Sequence, residues 1–154
     1  MASYSATLSS LELDPVVERS KRKTAQPFVL TISPVAGDWT DARRVLSRTD
    51  YPLAFARDVD RARKILSELP VAVILIEADE LGSSWREVLA ELDAPGRAPN
   101  VVVMTRCASE RLWVEVLDSG GFDLVAKPVT DRELWSAVDG AMAAWLHRHQ
   151  FEHV

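Results

Sequence analysis

The sequence has little cysteine and no long apolar run, and both shortages limit where the protein can work. Cys107 is the one cysteine, so no disulfide can form within the chain. Small secreted domains usually depend on disulfides, so this scarcity favours a reducing cytoplasm. The first ten residues, MASYSATLSS, lack the basic start and apolar core of a signal peptide. No run reaches the ~20 apolar residues of a membrane span, so we expect no membrane partner.

Positive charge, glycine and histidine are also scarce, and each shortage argues against a class of function. The net charge is −5, with 18 basic and 23 acidic residues, which disfavours nucleic-acid binding. Only Gly37 follows the first apolar run closely, so no glycine-rich phosphate loop is present there. All histidines lie at or after position 147, far from any nucleophile–acid pair. An enzyme or a flavodoxin-like cofactor-binding module is therefore a remote alternative, and we expect no cofactor.

The chain length of 154 residues suits one domain with short ends. Residues 1–26 are polar and serine-rich, and we predict a tail there. Its segment LELDPVVER is compatible with a helical turn, although Pro15 interrupts it. Residues 27–149 form the predicted domain, and residues 150–154 form a short C-terminal tail.

Within the predicted domain, five apolar runs that we interpret as strands alternate with five amphipathic helices. The runs VAVILI at 71–76 and VVVMT at 101–105 are continuous, which is typical of strands buried on both faces. The first helix is predicted over WTDARRVLSRT, starting at Trp39. Strict alternation predicts an α/β fold with a parallel sheet and helices on both faces. Sites in such folds lie at the carboxyl ends of the strands. The residues there are Ser33, Pro34, Glu77, Thr105 and Lys127.

This pattern resembles the receiver domain of bacterial response regulators, the CheY-like fold, over residues 28–147. The stretch LDSGGFDLVAKPV is similar to the family's segment around its lysine, and Thr105 precedes Lys127 by 22 positions, as the family requires. The resemblance implies a doubly wound, five-stranded sheet of order 2-1-3-4-5 with five helices. It also implies a cis peptide bond before Pro128 and a role in two-component or phosphorelay signalling.

Only some of the positions that carry the family's phosphorylation chemistry have the family's residue in this sequence. Glu77 stands where the phosphoacceptor aspartate ends the third strand, and Ser33 and Pro34 stand where an acidic pair ends the first. Leu124 stands at the aromatic switch position, three residues before the lysine. We therefore interpret the chain as a pseudo-receiver with a degenerate phosphorylation site. That site comprises Glu77, Thr105, Lys127, Ser33 and Pro34.

The residues at these positions predict weak metal binding and poor phosphotransfer. Magnesium usually takes more than one carboxylate, and Glu77 is the only one among the matched positions, so we expect no tight metal site. Its extra methylene carries the carboxylate ~1.5 Å further than that of aspartate, which misplaces it for in-line attack. We expect Glu77 to pair with Lys127 and the domain to work without phosphorylation. The alternative is a single-domain response regulator still phosphorylated at an unorthodox carboxylate, Asp79.

A domain without phosphate chemistry acts through its surfaces, so we expect protein partners. Candidates are a histidine kinase, an output protein or a second copy of the chain. In the receiver family, the face made by the fourth helix, fifth strand and fifth helix commonly docks partners. On the fourth helix we expect Val114 and Leu117 to face the core. Tryptophan is enriched at interfaces. The interface candidates are Trp113, Val116, Leu124, Trp135 and Trp145.

Overall fold

The structure, a computed structural model, describes residues 16–18, 26–92 and 98–152. The strands are β1 (Val16–Glu18), β2 (Phe28–Ile32), β3 (Leu53–Ala56), β4 (Val71–Glu77), β5 (Asn100–Thr105) and β6 (Asp123–Ala126). The helices are α1 (Ala36–Leu46), α2 (Val59–Glu68), α3 (Ser84–Glu91), α4 (Glu110–Asp118) and α5 (Asp131–Glu152). From β2 onward, strand and helix alternate along the chain, as the apolar periodicity predicts.

All six strands belong to one sheet, in the order β1-β3-β2-β4-β5-β6. Strands β2 to β6 are parallel to one another, and their order is the predicted 2-1-3-4-5 arrangement. With the five helices, this confirms the predicted doubly wound α/β fold. Every residue of the central strand β4 is buried, because the sheet is covered on both faces.

Two hydrophobic clusters lie on opposite faces of the sheet. One contains Leu75 together with apolar residues of α1 and α5. The other contains Ile74 together with apolar residues of α2, α3 and α4. Successive strand residues point to opposite faces, which is why neighbouring residues of β4 belong to different clusters. Helices α1 and α5 therefore pack side by side on one face of the sheet.

Strand β1 is an addition to the predicted sheet. Its residues pair antiparallel with β3, and Val17 lies opposite Ala54. The interpretation of this segment as a polar tail with a helical turn is wrong at residues 16–18. The edge of β3 offers unpaired backbone groups, and an extended segment can satisfy them whereas a helical turn cannot. The rest of that predicted tail, apart from residue 26, lies outside the described residues.

Helix α5 is longer than predicted and reaches Glu152, past the expected domain end at 149. Residues 150–152 are therefore helical rather than part of a tail.

No helix in the described ranges is both long enough and apolar enough to cross a membrane.

Helix α4 faces the core with the opposite side from the one predicted. Val116 is fully buried, whereas Val114 and Leu117 are 46% and 39% exposed. The prediction of Val116 as an interface residue was wrong, as was the prediction of a buried Val114 and Leu117. Val116 lies directly under the turn that follows α4, because the Gly121 N–H donates to the Val116 carbonyl at 2.8 Å and a Cβ on Gly121 would lie 2.5 Å from Val116 Cγ1. The chain can turn tightly over Val116 only because residue 121 has no side chain.

Candidate functional site

The carboxyl ends of the parallel strands bring four of the predicted site residues to one edge of the sheet. Ser33 follows β2, Glu77 ends β4, Thr105 ends β5 and Lys127 follows β6. The first three residues are buried, and the Lys127 side chain is only 9% exposed. Pro34 is exposed and offers no polar side-chain atom to the site. The predicted site therefore lies at the expected edge of the sheet, without Pro34.

The carboxylate partner of Lys127 is Asp38, not Glu77. Lys127 Nζ lies 3.0 Å from each carboxylate oxygen of Asp38. Both side chains are buried, with 9% and 5% of their surfaces exposed. Ser33 Oγ donates a 2.6 Å hydrogen bond to the same carboxylate and accepts one from the Val35 N–H at 3.0 Å. The predicted Glu77–Lys127 pair is wrong, because Asp38 of α1 already neutralises the charge of the lysine.

Asp38 is the functional residue that the sequence reasoning missed. It lies in the first turn of α1, which begins at Ala36 rather than at Trp39 as predicted. Asp38, Ala42 and Val45 are all buried and follow one another at helical spacing. That spacing was the available signal, because an aspartate in line with buried alanine and valine faces inward. Ser33 and Pro34 directly follow β2, and Asp38 supplies a carboxylate beside Ser33 that the sequence prediction did not include.

The Glu77 carboxylate is directed to the loop that follows β4. It is fully buried, and its Oε1 accepts hydrogen bonds from the backbone N–H groups of Asp79 and, at 2.5 Å, Glu80. Its Oε2 accepts one from the Leu81 N–H at 3.0 Å. Hydrogen bonds to an ionised acceptor are stronger than neutral ones, so a buried carboxylate can be satisfied by such amides without a cation. Glu77 therefore holds the loop in place instead of facing the lysine.

Asp79 lies on that loop and reaches across to β5. Thr105 Oγ1 donates to Oδ1 at 2.6 Å, and the Arg106 N–H donates to Oδ2 at 3.0 Å. Partial burial opposes ionisation of this carboxyl group. The two hydrogen bonds and the positive charges of Lys127 and Arg106 outweigh it, so the pKa of Asp79 is lowered. Asp79 therefore presents a negative charge to Thr105 at neutral pH.

Each carboxylate at this edge already has protein donors. Asp38 has Lys127 and Ser33, Glu77 has backbone amides, and Asp79 has Thr105 and Arg106. The receiver fold implies a magnesium ion at this edge, and Mg²⁺ requires several oxygen ligands directed at one point. The carboxylates are directed to separate donors, and no group of three His, Cys, Asp or Glu side chains is placed to hold a metal within the described ranges. The residues present do not fit the ion.

The remaining predicted residues differ in how far they are exposed. The Lys127–Pro128 peptide bond is cis, as the resemblance implies. Trp113 and Trp135 are 45% and 40% exposed. Leu124 and Trp145 are half-buried and pack against the two hydrophobic clusters, so they belong in part to the core.

Comparison with known proteins identifies the fold. No family model matches the sequence, and no curated protein matches it. Solved structures do match. The signal receiver domain of a putative LuxO repressor protein from Vibrio parahaemolyticus has a TM-score of 0.75 at 16% identity, covering 82% of this chain and 98% of that one. The signal receiver domain of an HD domain-containing protein from Pseudomonas fluorescens Pf-5 has a TM-score of 0.66 at 22% identity, covering 81% and 98%.

A third similar structure is a response regulator receiver protein from Burkholderia phymatum, with a TM-score of 0.65 at 21% identity, covering 77% of this chain and 96% of that one. At these identities the likeness concerns the fold alone. The chain has the CheY-like receiver fold, and its structural neighbours are receiver domains of response regulators and other two-component signalling proteins.

Proposed function

We propose that this chain is a receiver-like signalling domain of the two-component type that works by protein contact and without phosphorylation. The observation that supports this most is the Asp79 carboxylate, which engages Thr105 and the Arg106 amide beside Lys127. In the receiver family the matching threonine and lysine respond to a phosphorylated carboxylate. Asp79 supplies a permanent negative charge to Thr105 and lies within electrostatic reach of Lys127, so the domain stays in one signalling state.

The contacts of Glu77 support the same proposal. Phosphorylation of Glu77 would take an oxygen away from backbone N–H groups in a fully buried position. Each of these part-buried N–H groups would lose a hydrogen-bond partner, at a cost of about 1 kcal/mol, and two of the three share Oε1. The transfer would also have to proceed where the carboxylates do not fit Mg²⁺. Both effects raise the barrier to phosphotransfer at this position, so the Glu77 carboxyl group serves to hold the loop rather than to accept a phosphoryl group.

Without a chemical switch, the domain transmits information through the surface that it presents. The exposed apolar residues of α4, namely Trp113, Val114 and Leu117, are all 39% exposed or more. Apolar residues that adjoin on an exposed helix commonly mark a contact surface, and tryptophan is prominent at such surfaces. We propose a protein partner for this α4 surface, either a histidine kinase, an output protein or a second copy of the chain. In this proposal the protein is a bacterial cytoplasmic component and not an enzyme.

A second candidate function is a response regulator phosphorylated at Asp79. Its lowered pKa keeps the carboxylate ionised, and Asp79 is on an exposed position of the loop near Lys127. These are properties of a usable acceptor. Its hydrogen bonds to Thr105 and Arg106 oppose this use, because both carboxylate oxygens are engaged.

Intact mass spectrometry after incubation with acetyl phosphate and Mg²⁺ tests both candidates, with an intact receiver domain as positive control. We expect no phosphoryl adduct on this chain. A hydroxylamine-labile adduct would contradict the leading proposal. Its loss in Asp79→Asn, but not in the matched surface variant Asp118→Asn, would establish the second candidate instead.

A further inference from the structure

A groove between α1 and α5 has a chemistry that the receiver-like function does not use. Its volume is about 440 Å³, and none of the carboxylate-site residues lines it. We name it the arginine groove. It is lined by Arg44, Val45, Arg48, Asp131, Arg132 and Trp135.

The positive charge of the arginine groove is only partly compensated. Arg44 is held by two carboxylates, with Nη2 at 2.9 Å from Asp131 Oδ1 and 2.8 Å from Asp41 Oδ1. Arg48 and Arg132 are exposed, and neither makes a side-chain hydrogen bond or a contact ion pair within the described ranges. The pKa of Asp131 is lowered mainly by its hydrogen bond from Arg44 and in smaller part by the charge of Arg48, so Arg48 is partly compensated at a distance. The groove therefore presents two guanidinium groups whose donors are available to a ligand.

Trp135 adds an aromatic wall to the same groove. Its side chain is 40% exposed, while the neighbouring Val45 is buried. An exposed indole face gains from stacking on a planar ring, as aromatic side chains do when they stack on nucleic-acid bases. Guanidinium groups match the geometry of phosphate oxygens better than lysine does. Arginines and an aromatic face in one groove suit a ligand that has both a phosphate and a ring.

The surroundings favour a small anion over an acidic protein. The chain has a net charge of −5, and Asp41, Asp131 and Glu133 adjoin the arginines in sequence or in space. A protein interface of ordinary size covers about 800 Å² on each partner. An acidic partner of that size would also meet Asp41 and Glu133, whereas inside the groove the one carboxylate, Asp131, is already paired with Arg44. The groove volume also lies within the range of about 300–1,000 Å³ that is usual for small-molecule sites.

We propose that the arginine groove binds a nucleotide. Arg48 and Arg132 bind its phosphate groups, and Trp135 stacks on its base. Arg44, held by Asp131 and Asp41, lines the same groove. This site is separate from the carboxylate site, so the proposal does not depend on whether the domain is phosphorylated.

Isothermal titration calorimetry on the full chain tests the proposal, with ATP and GTP as probes in magnesium-free buffer. Tripolyphosphate is the probe without a base, and adenosine and guanosine are the probes without phosphate. We expect one site per chain for at least one nucleotide, with binding about tenfold tighter than for tripolyphosphate or the nucleoside. Arg48→Ala, Arg132→Ala and Trp135→Ala should each weaken binding by about tenfold or more.

Two matched variants serve as controls, because they remove the same kinds of side chain, one arginine and one tryptophan, from α4. Arg111→Ala removes an exposed arginine, and Trp113→Ala removes a tryptophan that is 45% exposed. Neither should change nucleotide binding. All five altered side chains are exposed, so circular dichroism and urea midpoints should stay close to those of the parent.

Several outcomes would overturn the proposal. They are the absence of binding by both nucleotides at millimolar concentration, equal losses in the α4 controls, and tripolyphosphate binding as tight as that of ATP. If neither nucleotide binds but a polyglutamate peptide does, and the groove variants weaken that binding, the groove would belong to an acidic protein segment instead.

Discussion

At the scale of single residues, each carboxylate of the site is defined by the donor that satisfies it. Asp38 and Glu77 are both buried acids near strand ends, yet only Asp38 meets Lys127. Glu77 has one more methylene, and its carboxylate reaches the amides of the next loop. A sequence shows that acids and a lysine share an edge of the sheet. Which acid meets the lysine depends on distances of a few ångströms between separate elements.

The buried Asp38–Lys127 pair predicts a strong asymmetry between single and double substitutions. Lys127→Met leaves the Asp38 charge buried without its cation, which should lower the free energy of unfolding by about 3–5 kcal/mol. The double variant Asp38→Ala/Lys127→Met should lose less than the sum of the single variants, because no lone charge remains. Urea unfolding measures these values. Arg111→Met, which removes an exposed cation, should have little effect, and an equally small effect of Lys127→Met would contradict the pairing.

The lowered pKa of Asp79 predicts an acid-sensitive contribution to stability. A carboxyl whose pKa is lowered by folding stabilises the folded state above its ordinary pKa of 3.8, and this contribution disappears as the pH falls through the lower folded pKa. The difference in urea midpoint between the parent and Asp79→Asn should therefore be constant above about pH 5 and shrink below about pH 4. A difference that stays constant down to the lowest accessible pH would argue against the Thr105 and Arg106 contacts.

At the scale of elements, helix α4 shows that hydrophobic spacing alone can leave orientation undecided. Apolar residues occur around most of its circumference, so more than one side was compatible with burial. In the structure Val116 is on the buried side, with Gly121 packed directly against it. The apolar residues left outside form the α4 surface that the proposed function assigns to a partner.

Two valines on α4 test this orientation directly. Val116→Ala should lower the free energy of unfolding by about 2 kcal/mol, because it removes buried methyl groups and leaves a cavity. Val114→Ala makes the same chemical change at a position that is 46% exposed, and it should change stability by less than about 0.5 kcal/mol. Thermal or urea unfolding of the two variants gives the comparison. A larger loss of stability for Val114→Ala than for Val116→Ala would support the orientation predicted from the sequence instead.

At the scale of the whole molecule, the sheet has one antiparallel strand outside its parallel core. Strand β1 covers the outer edge of β3, with Val16 opposite Phe55 and Glu18 opposite Leu53. Exposed edge strands tend to pair with other chains, and a short covering strand reduces that tendency. The N-terminal segment thus contributes to the behaviour of the domain even though it lies outside the receiver pattern.

Truncation tests the role of β1. A chain that starts at residue 26 should still unfold cooperatively, since both hydrophobic clusters lie within residues 28–145. It should be less stable and should associate more at high concentration, because the edge of β3 is uncovered. Light scattering over a concentration series measures this association. A chain that starts at residue 15 keeps β1 and is the matched control; identical association by the two truncations would argue against edge protection.

The sequence by itself determined the fold class, the parallel core of the sheet and the edge where Ser33, Glu77, Thr105 and Lys127 meet. Apolar periodicity and strand direction are local properties, so a chain shows them directly. Only the tertiary structure decided that Asp38 neutralises Lys127, that α4 buries Val116 and that β1 joins the sheet. It also brought Arg44 beside Asp131, 87 residues away along the chain. These outcomes depend on how separate helices and strands pack together, and no local pattern encodes the distances between them.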